Sequence, residues 1–259
     1  MRSRCAVALL AVIATLAAAG WPAVGQTPKR GGILNAMLME DPPGFSIHES
    51  STISGVWPVA PCYSNLVTFD PLKPVESVET VIAELAERWS WQDSYRNLVL
   101  FLRKNVKWHD GKPFSSADVK YTFDVVREAK DAPAKLRLSP RKDWYANVEA
   151  IEAPDAHTVI FRLKRPQPSL ILMLASGYSP VYPAHVPLAE LRQRCVGTGP
   201  FRLKEYTRGQ MVELERNPEY FVKDRPYLDG IRYIRSSPSA GRGWPRCRPA
   251  GSTPASRSR

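Results

Sequence analysis

Four histidines and four cysteines are the residues of this 259-residue chain best suited to hold a metal, shuttle a proton or attack a substrate. Their spacing argues against the first two roles. A metal site needs ligands a few residues apart on one element, as in His-Glu-x-x-His, and His48, His109, His157 and His185 are scattered without such a second ligand. Surface and turn roles are therefore expected for all four. Covalent hydrolysis would need a nucleophile turn of the Gly-x-Ser-x-Gly kind, and phosphate chemistry a Gly-Lys-Ser or Gly-Lys-Thr cradle; neither motif occurs. The expectation is no catalytic residue, no metal and no cofactor. Thiol chemistry rests with Cys62 and Cys195, because Cys5 precedes an apolar N-terminal run and Cys247 lies in an anomalous C-terminal stretch.

The elements that would position any site are clearest between Leu85 and Arg127. Leu98, Leu100 and Leu102 alternate with Val99, Phe101 and Arg103, which suits a strand with one wholly apolar face. Trp108-His109-Asp110-Gly111 supplies a turn, since glycine tolerates positive φ and aspartate can bond the following backbone. Ser115 and Asp118 open a helix as a capping box, with Val119, Phe123 and Val126 on one face. Beyond this block, strands are expected at 33–38, 66–70, 148–153, 158–163, 201–206 and 211–216, and helices at 55–65, 116–128 and 168–175. Hairpin turns are expected at Pro154-Asp155-Ala156-His157 and Thr207-Arg208-Gly209-Gln210. The mixture defines an α/β (mixed α+β) class without internal repeats or a coiled-coil period.

Both ends depart from this pattern. Arg2 and Arg4 precede an apolar run from Ala6 to Ala19, and Ala23-Val24-Gly25 offers small residues for cleavage, so residues 1–25 read as an export signal and the location as the periplasm. Fourteen helical residues rise only about 21 Å, short of a hydrocarbon core of about 30 Å. The last 24 residues, 236–259, carry five arginines and no acidic residue, lysine, Val, Ile, Leu, Met or Phe. Such a stretch could be a basic tail for nucleic acid or anionic lipid. A shifted reading frame explains it better: back-translating Gly241 to Ala255 with GC-rich codons and shifting the frame restores an apolar helix-like sequence. A frameshifted, disordered tail is the expectation. Removing both ends changes the electrostatics, because the formal +11 becomes 29 basic against 25 acidic residues. A body near +4 gives no support for a nucleic-acid partner.

The ordered series Ala86-Glu87-Arg88-Trp89, Phe101-Leu102-Arg103-Lys104, Trp108-His109-Asp110-Gly111-Lys112-Pro113-Phe114 and Ala117-Asp118-Val119 resembles family 5 of the bacterial extracellular solute-binding proteins, the peptide and nickel receptors of ABC importers. Gly31-Gly32-Ile33-Leu34-Asn35, Gly197-Thr198-Gly199-Pro200-Phe201 and Glu215-Arg216-Asn217-Pro218 extend the likeness in order and spacing. The resemblance implies a two-lobed, periplasmic-binding-protein-like receptor, with residues 26–235 forming most of its first lobe and the chain truncated before the second. It also implies a small solute, a short peptide above all, held by lobe closure, an inner-membrane ABC permease as partner, and a monomer at full length. An inactive truncated product is the alternative, and a periplasmic hydrolase a further one.

The same resemblance points to the loop after the first strand for main-chain contacts to ligand. Asp41 to Ile53 is too rich in Pro and Ser to begin as regular structure, and Ser51, Thr52 and Ile53 are the expected ligand-binding residues. The competing reading makes that segment a connector whose Ser and Thr cap the next helix. Ser176, Gly177 and Tyr178, a small-residue break after an apolar helix, are expected to border the cleft. Trp57, Trp89, Trp91, Trp108 and Trp144 are assigned no ligand role, since most buried tryptophans are core. In an oxidising periplasm Cys62 and Cys195 would either pair or remain separately buried thiols. A disulfide closing so long a loop stabilises by about 4–5 kcal/mol in the chain-entropy treatment.

Overall fold

The computed structural model describes residues 28–235; the expected export signal (1–25) and the expected frameshifted tail (236–259) lie outside the described residues. Among the described residues, ten strands form three sheets. The first sheet runs β1 (Ile33–Leu38), β10 (Gly230–Arg235), β9 (Met211–Arg216) and β8 (Phe201–Thr207), with β1 parallel to β10 and the other pairs antiparallel. A small sheet pairs β2 (Val67–Phe69) with β3 (Val81–Ala83). The third is a four-stranded antiparallel sheet in the order β4 (Ala86–Gln92), β5 (Asn97–Leu102), β7 (Thr158–Leu163) and β6 (Val148–Asp155).

The third sheet shows how the sequence pattern becomes a core. Leu98 faces Phe161 and Leu100 faces Val159 across the β5–β7 ladder, and all four are fully buried. Val99 is buried as well, and Phe101 lies under the Arg88 guanidinium, 3.5 Å from the ring centre. Both faces of β5 are thus covered, the second partly by a cation over an aromatic ring. Helix α2 (Ser116–Val126) packs against β6 and β7. Its Val119, Phe123 and Val126 are no more than 1% exposed, and Phe123 meets Phe161 edge-on at 5.3 Å. Full burial of each such side chain stabilises by about 1.5–3 kcal/mol.

Helix α2 begins and ends for local reasons. The Ser115 amide donates to the Asp118 carboxylate at 2.9 Å while the Ser115 side chain meets the helix backbone, closing the capping box, and Glu128 takes a left-handed φ of 53° just past the last turn. Ser115→Ala should therefore lower unfolding free energy by about 1 kcal/mol, read from the urea midpoint at unchanged slope. The preceding turn forms as expected: Gly111 has φ 86°, its amide bonds Trp108 O at 2.8 Å, and Lys112 N bonds the Asp110 carboxylate at 3.2 Å.

Helix 55–65 does not form as one element. Helix α1 spans only Ile53–Val56, followed by a 3-10 turn at Ala60–Cys62. Pro58 and Pro61 lack the amide donors that a continuing helix would need. The apolar helix after Pro168 is also shorter than expected, with α3 at Leu170–Ala175, and a single-turn α4 (Leu188–Leu191) was not foreseen.

Candidate functional site

The loop after β1 is fastened at its start. Asp41 accepts hydrogen bonds from the Gly209 amide at 2.9 Å and from Arg235 at 2.8 Å, tying the loop to the β8–β9 turn and the end of β10. Phe45 then enters the core, edge-on to Tyr206 at 5.3 Å, and its carbonyl accepts from the Tyr63 hydroxyl at 3.1 Å. Burial alone would raise the Glu49 carboxyl, but the forked Arg192 guanidinium, at 2.7 and 2.9 Å, and the Arg137 amide hold it below its ordinary value.

Next comes a stitch to a segment far along the chain. His48 is 1% exposed and its Nε2 lies 2.7 Å from Pro180 O. Burial lowers the imidazole to about 3, so the ring is neutral at ordinary pH. A carbonyl can only accept, which places the ring proton on Nε2. The Tyr182 hydroxyl lies 3.3 Å from Ser46 Oγ and accepts from the His48 amide at 3.1 Å. His48 is therefore a core residue, contrary to the surface or turn role expected from sequence. His109 is also largely enclosed, lowered to about 4 by burial, with its ring between Gly199 O and the Gly197 amide.

Arg141 joins the two segments singled out in the sequence. Its Nη2 donates to Ile47 O at 2.5 Å and to Ser50 O at 2.7 Å, and its guanidinium lies 4.7 Å from the centre of the Tyr178 ring. On the far side, Asn65 Nδ2 donates to Ser176 O at 2.9 Å. Ser51, Thr52 and Ile53 emerge exposed from one side of this junction and Gly177 from the other, with Ser176 and Tyr178 half-buried between. Thr52 stands at the N-cap of α1, yet its side chain makes no capping bond and lies 3.1 Å from Ser54 Oγ. Gly177 also lines a cavity of about 170 Å³ with Ile47, Tyr63, Asn65, Glu84 and Pro180. Burial pushes the Glu84 carboxyl up to about 7, against the opposing pull of the Asn65 amide and Arg103.

Arg141, Asn65, Glu84 and Tyr182 carry the junction, and sequence reading missed all four. Arg141 sits in a polar connector, Ser139-Pro140-Arg141-Lys142-Asp143, that looks like any solvated loop. Cys62 and Cys195 are both buried free thiols. Among the described residues no group of three or more His, Cys, Asp or Glu side chains could hold a metal ion.

The titrating groups have opposite effects on stability. Unfolding returns His48 and His109 to about 6.5, so below that value the unfolded chain binds more protons and stability is lost as pH falls. Glu84 acts in reverse: its raised folded value makes stability fall as pH rises from about 4.5 to about 7. Urea midpoints at pH 7 and pH 5 should therefore show a smaller acid loss in His48→Gln than in wild type and a larger one in Glu84→Gln. Identical pH shifts in all three proteins would refute the assignment.

An α/β unit with an antiparallel sheet beside a mixed one, and loops stitched into an exposed polar rim, has the lobe architecture of a solute-binding protein. Among solved structures, it is similar to the oligopeptide-binding protein AppA of Bacillus subtilis in complex with a nonapeptide, at TM-score 0.68 and 28% identity over 81% of this chain and 41% of that one. It is also similar to MoaA of Agrobacterium tumefaciens R10 in complex with mannopinic acid, at TM-score 0.70 and 28% identity over the same shares. A Brucella ovis protein described as an ABC transporter peptide-binding protein is 34% identical over 191 residues, 68% of this chain and 34% of that protein. The family described as bacterial extracellular solute-binding proteins, family 5 Middle, matches residues 80–242. The chain belongs to this family of solute-binding proteins. It spans about a third of the length of the curated relatives it matches.

Proposed function

We propose that this chain supplies one wall of the ligand cleft in the substrate-binding component of an ABC importer, and that the ligand is a short peptide. Residues 26–235 are part of the first lobe, residues 1–25 direct export to the periplasm, and the closed full-length receptor docks as a monomer on an inner-membrane permease. The observation that carries this reading is the junction at Arg141, which draws Ser50 and Tyr178 together and leaves Ser51, Thr52, Ile53 and Gly177 exposed beside it. Such a rim suits a ligand recognised through its backbone, where main-chain hydrogen bonds give affinity and wet pockets tolerate varied side chains. A short peptide is favoured by the similarity to the Brucella ovis peptide-binding protein and the Bacillus subtilis oligopeptide-binding protein. Transport needs lobe closure and no covalent step.

A peptide-hydrolysis assay run beside ligand-dependent melting tests this proposal. Tripeptides at millimolar concentration should raise the melting temperature of the 259-residue chain by a few degrees with no cleavage, since a ligand at several times Kd adds about 1 kcal/mol. Turnover of the peptide would replace the receptor reading with that of a hydrolase.

A further inference from the structure

We propose that Cys62 and Cys195 form an intrachain disulfide when the chain folds under oxidising conditions, locking the 3-10 turn before β2 to the Gly197–Gly199 turn before β8. The two thiols come from segments far apart in sequence, yet both are buried, and the nearby Cys62 thiol adds to the burial that pushes the Cys195 thiol up. Cys62 is 0% exposed and Cys195 6%. Their backbones are already held together: the Gly199 amide donates to Cys62 O at 3.0 Å, and a Cβ on Gly197 would lie 1.8 Å from that oxygen. Segments joined this closely set the two buried cysteines side by side in the core, where the short reach of a disulfide is to be met. No other cysteine lies between Gln26 and Arg235 to compete for either partner.

The chemistry is thiol–disulfide exchange with an external disulfide, either a small molecule or a dithiol oxidoreductase in its oxidised form. One cysteine thiolate attacks that disulfide, forming a mixed disulfide and releasing the first thiol of the oxidant. The second cysteine thiolate then attacks the mixed bond at the protein sulfur and expels the other thiol. Two protons and two electrons pass from the cysteine pair to the oxidant. Burial pushes the Cys195 thiol well up, so the reactive thiolate is scarce once the site has closed. Oxidation therefore accompanies folding, and the finished bond is shielded from reductant in the native protein. The oxidising setting in the cell rests on the export reading; the pairing itself does not.

The purified 259-residue chain, reduced and unfolded, is refolded with or without oxidised glutathione, alkylated in denaturant and digested for peptide mapping. The expected product is a Cys62–Cys195 linked peptide pair, a melting temperature about 10 °C above that of the reduced chain, and resistance to dithiothreitol until denaturant is added. Cys62→Ser should abolish both the link and the difference between the two melting temperatures. If that variant does not fold, wild-type mapping decides alone. Alkylation of both residues after oxidative refolding, or their linkage mainly to Cys5 or Cys247, would overturn the proposal. A linked pair after refolding but free thiols in chain isolated from cells would support the pairing and overturn the export reading.

Discussion

Gly197→Ala is expected to destabilise the chain by about 3 kcal/mol or more, the upper range for overpacking, and to lower its melting temperature by about 6–12 °C. The added Cβ would lie 1.8 Å from Cys62 O, 2.7 Å from Cys62 C and 3.0 Å from the Tyr63 ring. Two of those atoms are backbone, so no rotamer change relieves the clash. The segment cannot retreat freely either, because Gly197 O accepts from the His109 amide at 2.8 Å and Gly199 O from Asn217 Nδ2 at 3.0 Å. The Gly-Thr-Gly turn is thus a joint where the chain before β2, the His109 turn and the Asn217 turn meet. Gly177→Ala is the control, since a Cβ there meets nothing within 4 Å, and it should shift stability by less than about 0.5 kcal/mol. Equal midpoints for the two variants in urea would contradict this account of the turn.

Arg141→Met is expected to cost about 2–4 kcal/mol and to remove the peptide-induced rise in melting temperature. Methionine retains much of the aliphatic stem but loses the guanidinium, leaving two carbonyls of the 47–50 turn short of a charged donor inside the protein. Arg141 is only 5% exposed, so water cannot readily take its place. Arg141→Lys keeps the charge but not the planar guanidinium that sets Nη2 between both carbonyls while lying on the Tyr178 ring, and should recover less than half of the loss. A variant with wild-type stability and undiminished peptide response would show that the junction does not depend on this side chain.

Much of the fold was legible because it is written in local period. Strands β1, β7 and β9 fall on their expected bounds, and Val159, Phe161 and Leu163 of β7 alternate buried with half-buried neighbours as the pattern requires. Strand β10 was missed. Its six residues carry two arginines, and it exists through ladders to β9 and to β1 at the opposite end of the described chain, pairings that no local window contains. The Pro58 and Pro61 breaks were visible in the sequence, but the apolar run around them outweighed them in the reading of a helix.

The site divides in the same way. Ser51 to Ile53 and Ser176 to Tyr178 could be picked out as interruptions of regular pattern, and the structure sets Ser50, just before the first, and Tyr178, the end of the second, against Arg141. What joins them was invisible, because the value of Arg141 lies in three partners separated from it by dozens of residues. His48 misled for a related reason: a lone histidine beside Glu49 in a Ser-rich loop reads as solvated until Pro180 and Tyr182 close over it.

The central claim is that the rim at Ser51–Ile53 and Ser176–Tyr178 meets the ligand. Amide chemical-shift mapping of the isotopically labelled 259-residue chain during titration with a tripeptide tests it most directly. Saturable shifts at those six residues and at Ser50, with little change around the separate groove at Trp144 and Arg165, are the predicted result. Saturable shifts confined to that groove, or none at the rim up to several millimolar peptide, would contradict it.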